Sequence, residues 1–458
     1  MTSSSEARAL PESASISSLS LLRSGSWLGA KRLTLACGLE EFPPEIFALA
    51  DSLEILDLSN NKLSSLPNDL PRLKRLRVLF LSDNNFTAWP EILGQCPQLS
   101  MIGFKANRIR TIPSGSLPAG LRWLILTDNQ LEALPADIGR CTQLQKLMLA
   151  GNRLRALPPE LAACKALELL RISANQLSEF PAFLLELPRL SWLAYAGNPF
   201  CEQREQAAIN AAPMARIDWQ ELSLQQQLGE GASGVIHQAQ WQQADGLLPV
   251  AVKLFKGDVT SDGLPQSELA ACINAGSHPQ LIQMLGQVVG HPADQCAMVM
   301  PLIDPAFRNL AQPPSLESCT RDIYAPDAGF ALHELLLIAQ GIASAARHLH
   351  AQGLMHGDLY AHNILHKGCG AVLLGDFGAA SFLASDDRQQ AEALQRLEIR
   401  AFACLLEELL ARCSSAAGSA DAGAAIKLLD DLKYACFQDQ PGARPLFAEV
   451  EQILLTLH

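Results

Sequence analysis

Between Leu53 and Phe200 the apolar positions recur in one pattern, L-x-x-L-x-L-x-x-N-x-L, which opens at Leu53, Leu76, Leu99, Leu121, Leu144, Leu167 and Leu190 at intervals of 22 or 23 residues. The alternating leucines in each copy predict a short strand with inward and outward faces. A unit this small cannot bury its own leucines, so the copies must stack on one another into a quasi-one-dimensional core. The ninth position is always Asn (Asn61, Asn84, Asn107, Asn129, Asn152, Asn175, Asn198). It falls where the chain leaves the strand, and its amide can satisfy backbone groups of adjacent turns. Most copies then reach an apolar-Pro step, Leu66-Pro67, Trp89-Pro90, Ile112-Pro113, Leu134-Pro135, Leu157-Pro158 or Phe180-Pro181. Upstream, the stretch from Trp27 to Pro43 reads as an eroded first copy, with Cys37 near the Asn position, that caps the array.

The outward third position of the strands runs Ile55, Val78, Met101, Trp123, Lys146, Leu169, Trp192, and the fifth runs Asp57, Phe80, Gly103, Ile125, Met148, Arg171, Ala194. Shielding by neighbouring strands would account for mildly apolar residues there. Two tryptophans, a phenylalanine and two methionines in adjacent columns instead predict an exposed apolar patch of the kind that marks an interface. Its contact residues would be Ile55, Val78, Phe80, Met101, Trp123, Ile125, Met148 and Trp192, and its partner another protein or the C-terminal half of this same chain.

The repeats stop after Phe200, and a polar, alanine-rich stretch (CEQREQAAINAAPMAR) leads into a different pattern near Ile217. Gly229, Gly231 and Gly234 stand in G-x-G-x-x-G spacing, which alone is weak evidence because such turns serve many ends. Nineteen residues beyond Gly234, the strand-like run Val250-Ala251-Val252 ends in Lys253, and Glu268 follows fifteen residues later in a helical segment. A strand-like run (MVMPL) covers Met298 to Leu302, and ALHELLLIAQGIASAARHLHAQGL has the apolar spacing of a long buried helix. That helix delivers His356-Gly357-Asp358-Leu359-Tyr360-Ala361-His362-Asn363, and Asp376-Phe377-Gly378 comes eighteen residues after Asp358.

Charge and composition narrow the reading. The 458 residues are 48% apolar, enough for two or three cores. Up to Arg216 the chain has 22 Lys+Arg against 20 Asp+Glu, and beyond it 13 against 27. So acidic a C-terminal half argues against nucleic acid or an anionic membrane as its partner. The twelve cysteines form no paired C-x-x-C cluster. Cys96, Cys141 and Cys164 each stand three residues before a repeat-opening leucine, where Leu73 and Leu187 stand elsewhere, and read as buried packing residues. No secretory signal and no run of transmembrane length is evident, so a soluble, cytoplasmic chain with no membrane span is expected.

The first pattern resembles the leucine-rich-repeat family. The second resembles the eukaryotic protein kinases, nearest to the tyrosine-kinase-like group, through its glycine loop, VAVK, H-G-D-L-x-x-x-N, DFG and Arg444-Pro445. The resemblance implies an α/β repeat solenoid with its strands on the concave face, followed by an α+β bilobal kinase fold. The expected division is a polar segment over 1–26, repeats over 27–200, a cap and linker over 201–219 and a kinase domain over 220–458. It further implies ATP and Mg²⁺ as cofactors: Asp358 takes or orients the substrate hydroxyl proton, Lys253 grips the phosphates, Glu268 holds Lys253, and Asn363 and Asp376 ligate the metal. Gly229, Gly231, Gly234, Ile236, Ala251, Met300 and Leu302 complete the nucleotide site. His356 reads as a packing residue.

Three departures from the family bear on the substrate side. Gly357 replaces the usual Arg, and no A-P-E follows the DFG; its best equivalent is Ala384-Ser385-Asp386, in which Asp386 is either a partner for Arg444 or part of an exposed acidic turn. Glu398 stands where kinases begin a helix with Asp. Between Gly378 and Glu398 only Ser381 and Ser385 carry hydroxyls. Activity is therefore expected to survive phosphatase treatment; activity lost to phosphatase and restored by phosphorylation of either serine would contradict this. His-Gly-Asp-Leu with Asn four residues on also resembles antibiotic and choline phosphotransferases, so a small-molecule phosphotransferase and a catalytically idle scaffold stay open beside a protein kinase.

Overall fold

The computed structural model describes residues 19–211, 215–231, 233–257, 259–368, 370–384, 386–414 and 420–457. The chain divides into two compact units, residues up to 147 with 152–164, and residues 148–151 with 165–458.

In the first unit, three-residue strands β1 (Arg32–Thr34), β2 (Ile55–Asp57), β3 (Val78–Phe80), β4 (Met101–Gly103) and β5 (Trp123–Ile125) pair side by side in parallel. Ile55 lies opposite Val78, Val78 opposite Met101 and Met101 opposite Trp123, so the outward columns read from the sequence are columns in space. The central residue of each strand points inward and is wholly buried. Short 3₁₀ turns follow the apolar-Pro steps. Pro43, Pro90 and Pro135 each stand just before one, their fixed φ setting the entry and their missing N–H costing nothing there. Cys96 and Cys141 close two of these turns in full burial, and burial pushes their thiols up to about 11 and about 12.

The asparagines behave as the spacing predicts. Asn84 Nδ2 donates to Leu58 O (2.9 Å) and Leu81 O (3.2 Å), while its Oδ1 accepts from Leu63 N (2.8 Å). One amide thus stitches two successive copies. The residue before it takes a left-handed φ near 55°, at Asn60, Asp83, Ala106 and Asp128, which turns the side chain inward.

The outward face is less open than expected. Val78 and Met101 are buried, and Ile55, Phe80, Trp123 and Ile125 are half-buried. Neighbouring parallel strands lie only about 4.8 Å apart, so their side chains cover one another. The Phe80 ring fills the space beside Gly103, and Lys146 Nζ sits 4.3 Å from the Trp123 ring centroid.

The second unit opens with the last two copies, whose strands β7 (Leu169–Arg171) and β8 (Trp192–Ala194) follow β6 (Lys146–Met148) in the chain and pair in parallel. A helix, Pro199–Ala211, follows. Six strands, β9 (Arg216–Asp218), β10 (Leu222–Glu230), β11 (Gly234–Gln243), β12 (Gly246–Phe255), β13 (Gly286–Val289) and β14 (Ala297–Pro301), then form a sheet of order β10-β11-β12-β14-β13-β9. Only β9 runs parallel to its neighbour. The period of two along β12 sends Val250 and Val252 into one core with Ala239, Ala297 and Val299, and turns Ala251 and Lys253 to the opposite face. The helix Pro265–Ala275 follows that sheet's third strand. The remainder is mainly helical, with short two- to four-residue strands between the helices: Leu332–Ala351, Arg388–Leu410, Ala420–Cys436 and Phe447–Leu455 share a core of Leu335, Ile338, Ile342, Phe402, Leu406 and Val450. That core is continuous with Leu169 and Trp192 of the last repeats.

Candidate active site

The face of β12 that carries Ala251 and Lys253 overlooks a cavity of about 670 Å³. Ile236, Ala251, Lys253, Met300 and Leu302 line it, as the sequence leads one to expect, together with Glu268, Met298, Leu365, Asp376 and Phe377. Apolar walls with a few charged groups at one end suit a ligand with a flat ring and an anionic tail. The three glycines are not on the wall. They shape the β10–β11 hairpin beside it, where Gly231 N donates to Gly234 O (2.9 Å). Gly234 has no room for a side chain, since a Cβ there would lie 2.5 Å from Leu254 O, whereas Gly229 and Gly231 face open space. Ala232, between them, is outside the described residues.

Lys253 is buried, with its Nζ 2.5 Å from Glu268 Oε1 and 3.9 Å from Asp376 Oδ1. Burial opposes its charge, but Glu268 and Asp376 outweigh burial and hold the ammonium above the ordinary lysine range. The Asp376 carboxylate is half exposed, and its backbone takes a left-handed φ of 58° that starts the short turn Phe377–Ala379. Its side chain accepts from Gly378 N (3.3 Å).

Asp358 sits in a loop between the strand Leu354–Met355 and the turn Ala361–Asn363. Asn363 Nδ2 donates both to Asp358 O (3.0 Å) and to Asp358 Oδ2 (2.7 Å), so the amide oxygen is the atom Asn363 has left for a cation. His356 is fully buried, bonds Gly375 O through Nε2 (2.9 Å) and accepts from Asp358 N (3.3 Å), which is a packing and positioning role. His362 bonds Asp322 Oδ1 through Nδ1 (2.7 Å). Beneath the loop lies Glu398, wholly buried in the helix Arg388–Leu410, accepting from Gly357 N (2.7 Å), His356 N (3.3 Å) and His350 Nε2 (2.7 Å).

Sequence reasoning missed what faces Asp358 from the other side. Arg171, at the end of β7, ion-pairs with Asp358, donates from Nε to Asp262 Oδ1 (2.6 Å) and from Nη1 to Gly357 O (3.1 Å). Trp192 of β8 stacks on Tyr360 with ring centroids 4.1 Å apart and donates its indole N–H to Leu359 O (3.1 Å). Trp192, expected to meet either another protein or the C-terminal half of this chain, meets the latter and is buried inside the second unit. The only usable signal was that Arg171 is the sole cation in its outward column.

Two further expectations meet the structure here. Asp386 does not pair with Arg444: it pairs with Arg204 at the surface. Arg444 is buried and donates to three carbonyls, Pro188 O (2.6 Å), Gln438 O (2.8 Å) and Arg396 O (3.1 Å), with burial pulling it down to about 10. Three oriented carbonyls satisfy a guanidinium fork without a carboxylate. Ser381 is fully buried and its Oγ accepts from Tyr195 N (3.1 Å), a placement closed to a modifying enzyme; Ser385 lies outside the described residues.

With this geometry in view, comparisons with known proteins define the class. Residues 222–416 match the family model described as protein tyrosine and serine/threonine kinase, and residues 31–86 match leucine rich repeat. The chain carries a leucine-rich-repeat region and a protein kinase domain. It is 25% identical over 154 residues to cyclin-dependent kinase 11.1 of Caenorhabditis elegans, covering 33% of this chain and 20% of that protein. It is 26% identical over 180 residues to serine/threonine-protein kinase PITSLRE of Drosophila melanogaster (39% and 18%) and 30% identical over 158 residues to human non-receptor tyrosine-protein kinase TNK1 (33% and 22%). The chain thus matches only about a fifth of the length of these relatives.

Proposed function

We propose that the chain is a protein kinase that moves the γ-phosphate of ATP, with Mg²⁺, to a Ser/Thr (or Tyr) hydroxyl of a protein. The observation that carries this reading is Lys253, held between Glu268 and Asp376 on the wall of the 670 Å³ cavity. Lys253 would bind the phosphates, Glu268 would fix Lys253, and Asp358 would accept or orient the hydroxyl proton. The donor set fits a hard divalent cation. Among the described residues no cluster of three or more His, Cys, Asp or Glu could hold a metal, so Asp376 and the Asn363 oxygen would share the ion with the nucleotide. The bound ion neutralises charge on the transferred phosphoryl group. The relatives include a serine/threonine-protein kinase and a non-receptor tyrosine-protein kinase by name, which supports a protein hydroxyl as the acceptor.

The repeats support binding of another protein. We read residues 27–200 as a curved solenoid with its strands on the concave face, a reading favoured by the parallel register of β1 to β5. The partner face would centre on Phe80, Trp123 and Ile125. Phe80→Ser with Trp123→Ser is expected to abolish capture and phosphorylation of the partner while the melting temperature holds; unchanged binding and activity would sink the idea. Among the described residues no helix is long and apolar enough to cross a membrane. No disulfide joins the described cysteines, which suits a reducing compartment and a cytoplasmic setting.

The deciding experiment incubates the full chain with labelled ATP and Mg²⁺, beside Asp358→Asn and Asp376→Ala. Label on protein Ser/Thr (or Tyr), absent from both variants, is the expected result. Label on a small hydroxyl compound would make the chain a small-molecule phosphotransferase, and no transfer would make it an idle scaffold.

A further inference from the structure

Resting on that reading, we infer that Arg171 of the seventh repeat is a positioning residue for Asp358, and that the last two repeats are a fixed part of the phosphotransfer site.

A carboxylate that must meet a substrate hydroxyl has to be held in one plane, because a misplacement of about 1 Å costs about 100-fold in rate. Asp358 is held at both oxygens, at Oδ2 by Asn363 and at Oδ1 by Arg171. Its side chain keeps 16% exposure, which is the approach left for a hydroxyl. Arg171 is itself immobilised: it is 2% exposed, and Asp262 and Gly357 O take up the rest of its fork. A lysine could not span those three partners.

The kinase half is shaped to receive this arginine. Gly357 has φ +74°, and a Cβ there would lie 2.4 Å from Ala379 O and 2.6 Å from Leu193 O, the latter in β8. The catalytic loop therefore cannot carry the arginine that related kinases place at this position, and a repeat supplies a guanidinium next to it instead. The short stretch after Asp376 leaves room for the repeats, and Tyr195 fills it, donating its hydroxyl to Phe382 O (3.0 Å). Trp192 is 1% exposed and belongs to the same hydrophobic core as the large helices. Arg171, Trp192 and Tyr195 are each buried with their side-chain donors bonded by the other half, while the Tyr360 hydroxyl beneath Trp192 is left without a partner.

The test compares the chain with Arg171→Ala and Arg171→Lys, using labelled ATP and whichever protein takes up label in the experiment proposed above. Arg171→Ala is expected to lower kcat about 100-fold with KM for ATP changed less than about twofold, because Arg171 is not on the cavity wall. Arg171→Lys should fall between, and added methylguanidinium should restore part of the Arg171→Ala rate but none of that of Asp358→Asn. If Arg171→Ala does not fold, Arg171→Lys and Asp262→Asn carry the test through the same split between kcat and KM. An active wild type with Arg171→Ala equal to it overturns the inference. So does Arg171→Ala faster than wild type, which would make the repeats an inhibitory clamp. A wild type that transfers no phosphate to any acceptor defeats the kinase reading first, and this inference with it.

Discussion

Lys253→Met is expected to cut phosphoryl transfer by about 100- to 1,000-fold and also to destabilise the kinase domain by about 3–5 kcal/mol. The two effects have different origins. The rate loss follows from removing the ammonium that, among the described residues, the cavity places beside Asp376, at 3.9 Å. The stability loss follows from Glu268, which is 2% exposed and would keep a buried carboxylate without its partner. Burial already raises the Glu268 carboxyl to about 7 beside Lys253, and without the ammonium it rises further and takes a proton. A second change, Glu268→Gln, removes the stranded charge. The double variant should regain most of the stability but none of the activity, measured by urea unfolding and by transfer of labelled phosphate. If the single and double variants unfold at the same denaturant concentration, the pair is not the buried charge couple described here.

Glu398→Ala should have the largest structural effect. Its carboxylate serves two backbone N–H groups of the catalytic loop and one buried imidazole, and removing it leaves all three donors without acceptors. A cost of about 3–5 kcal/mol is expected, with a drop in melting temperature of about 2–4 °C for each kcal/mol. The same group makes a pH prediction. Burial alone would raise the Glu398 carboxyl, but His350, His356 and the Gly357 N–H together hold it below its usual value of 4.5. A depressed carboxyl contributes stability that is fully present above the unfolded value and is lost as pH falls through the folded one. Wild-type stability should therefore decline below about pH 4.5, and Glu398→Gln should flatten that decline while lowering stability at neutral pH. An unchanged acid limb in Glu398→Gln would show that other carboxylates govern it. Glu398→Asp, the residue more usual in kinases, should be intermediate, because its shorter stem cannot reach His350 and Gly357 together.

Much of the site was legible because local sequence controls it. The strand period put Ala251 and Lys253 on one face, the apolar spacing from Leu332 to Ala351 gave a buried helix, and each Asn of the repeats makes the bonds its position required. The pairing of Lys253 with Glu268 was readable from order and distance, through resemblance to kinases. The Asp386–Arg444 pairing was not: it was inferred from which partner was missing, and backbone carbonyls, which no side-chain pattern reveals, fill that role. The outward apolar columns were read correctly as columns, but their exposure depends on how closely neighbouring strands cover one another.

The sequence by itself determined the two modules, the repeat register and several of the residues that line the candidate cavity, since each rests on periodicity or on motifs a few residues long. Tertiary structure alone decided that β7 and β8 belong with the kinase half, that Arg171 meets Asp358 across 187 positions, and that Trp192 faces Tyr360 and not solvent. Those pairings join side chains from two different sequence patterns that share one compact unit. Their signal in one sequence is only a glycine where an arginine is usual and a lone cation in an apolar column, and each acquires meaning from the distance that brings them together.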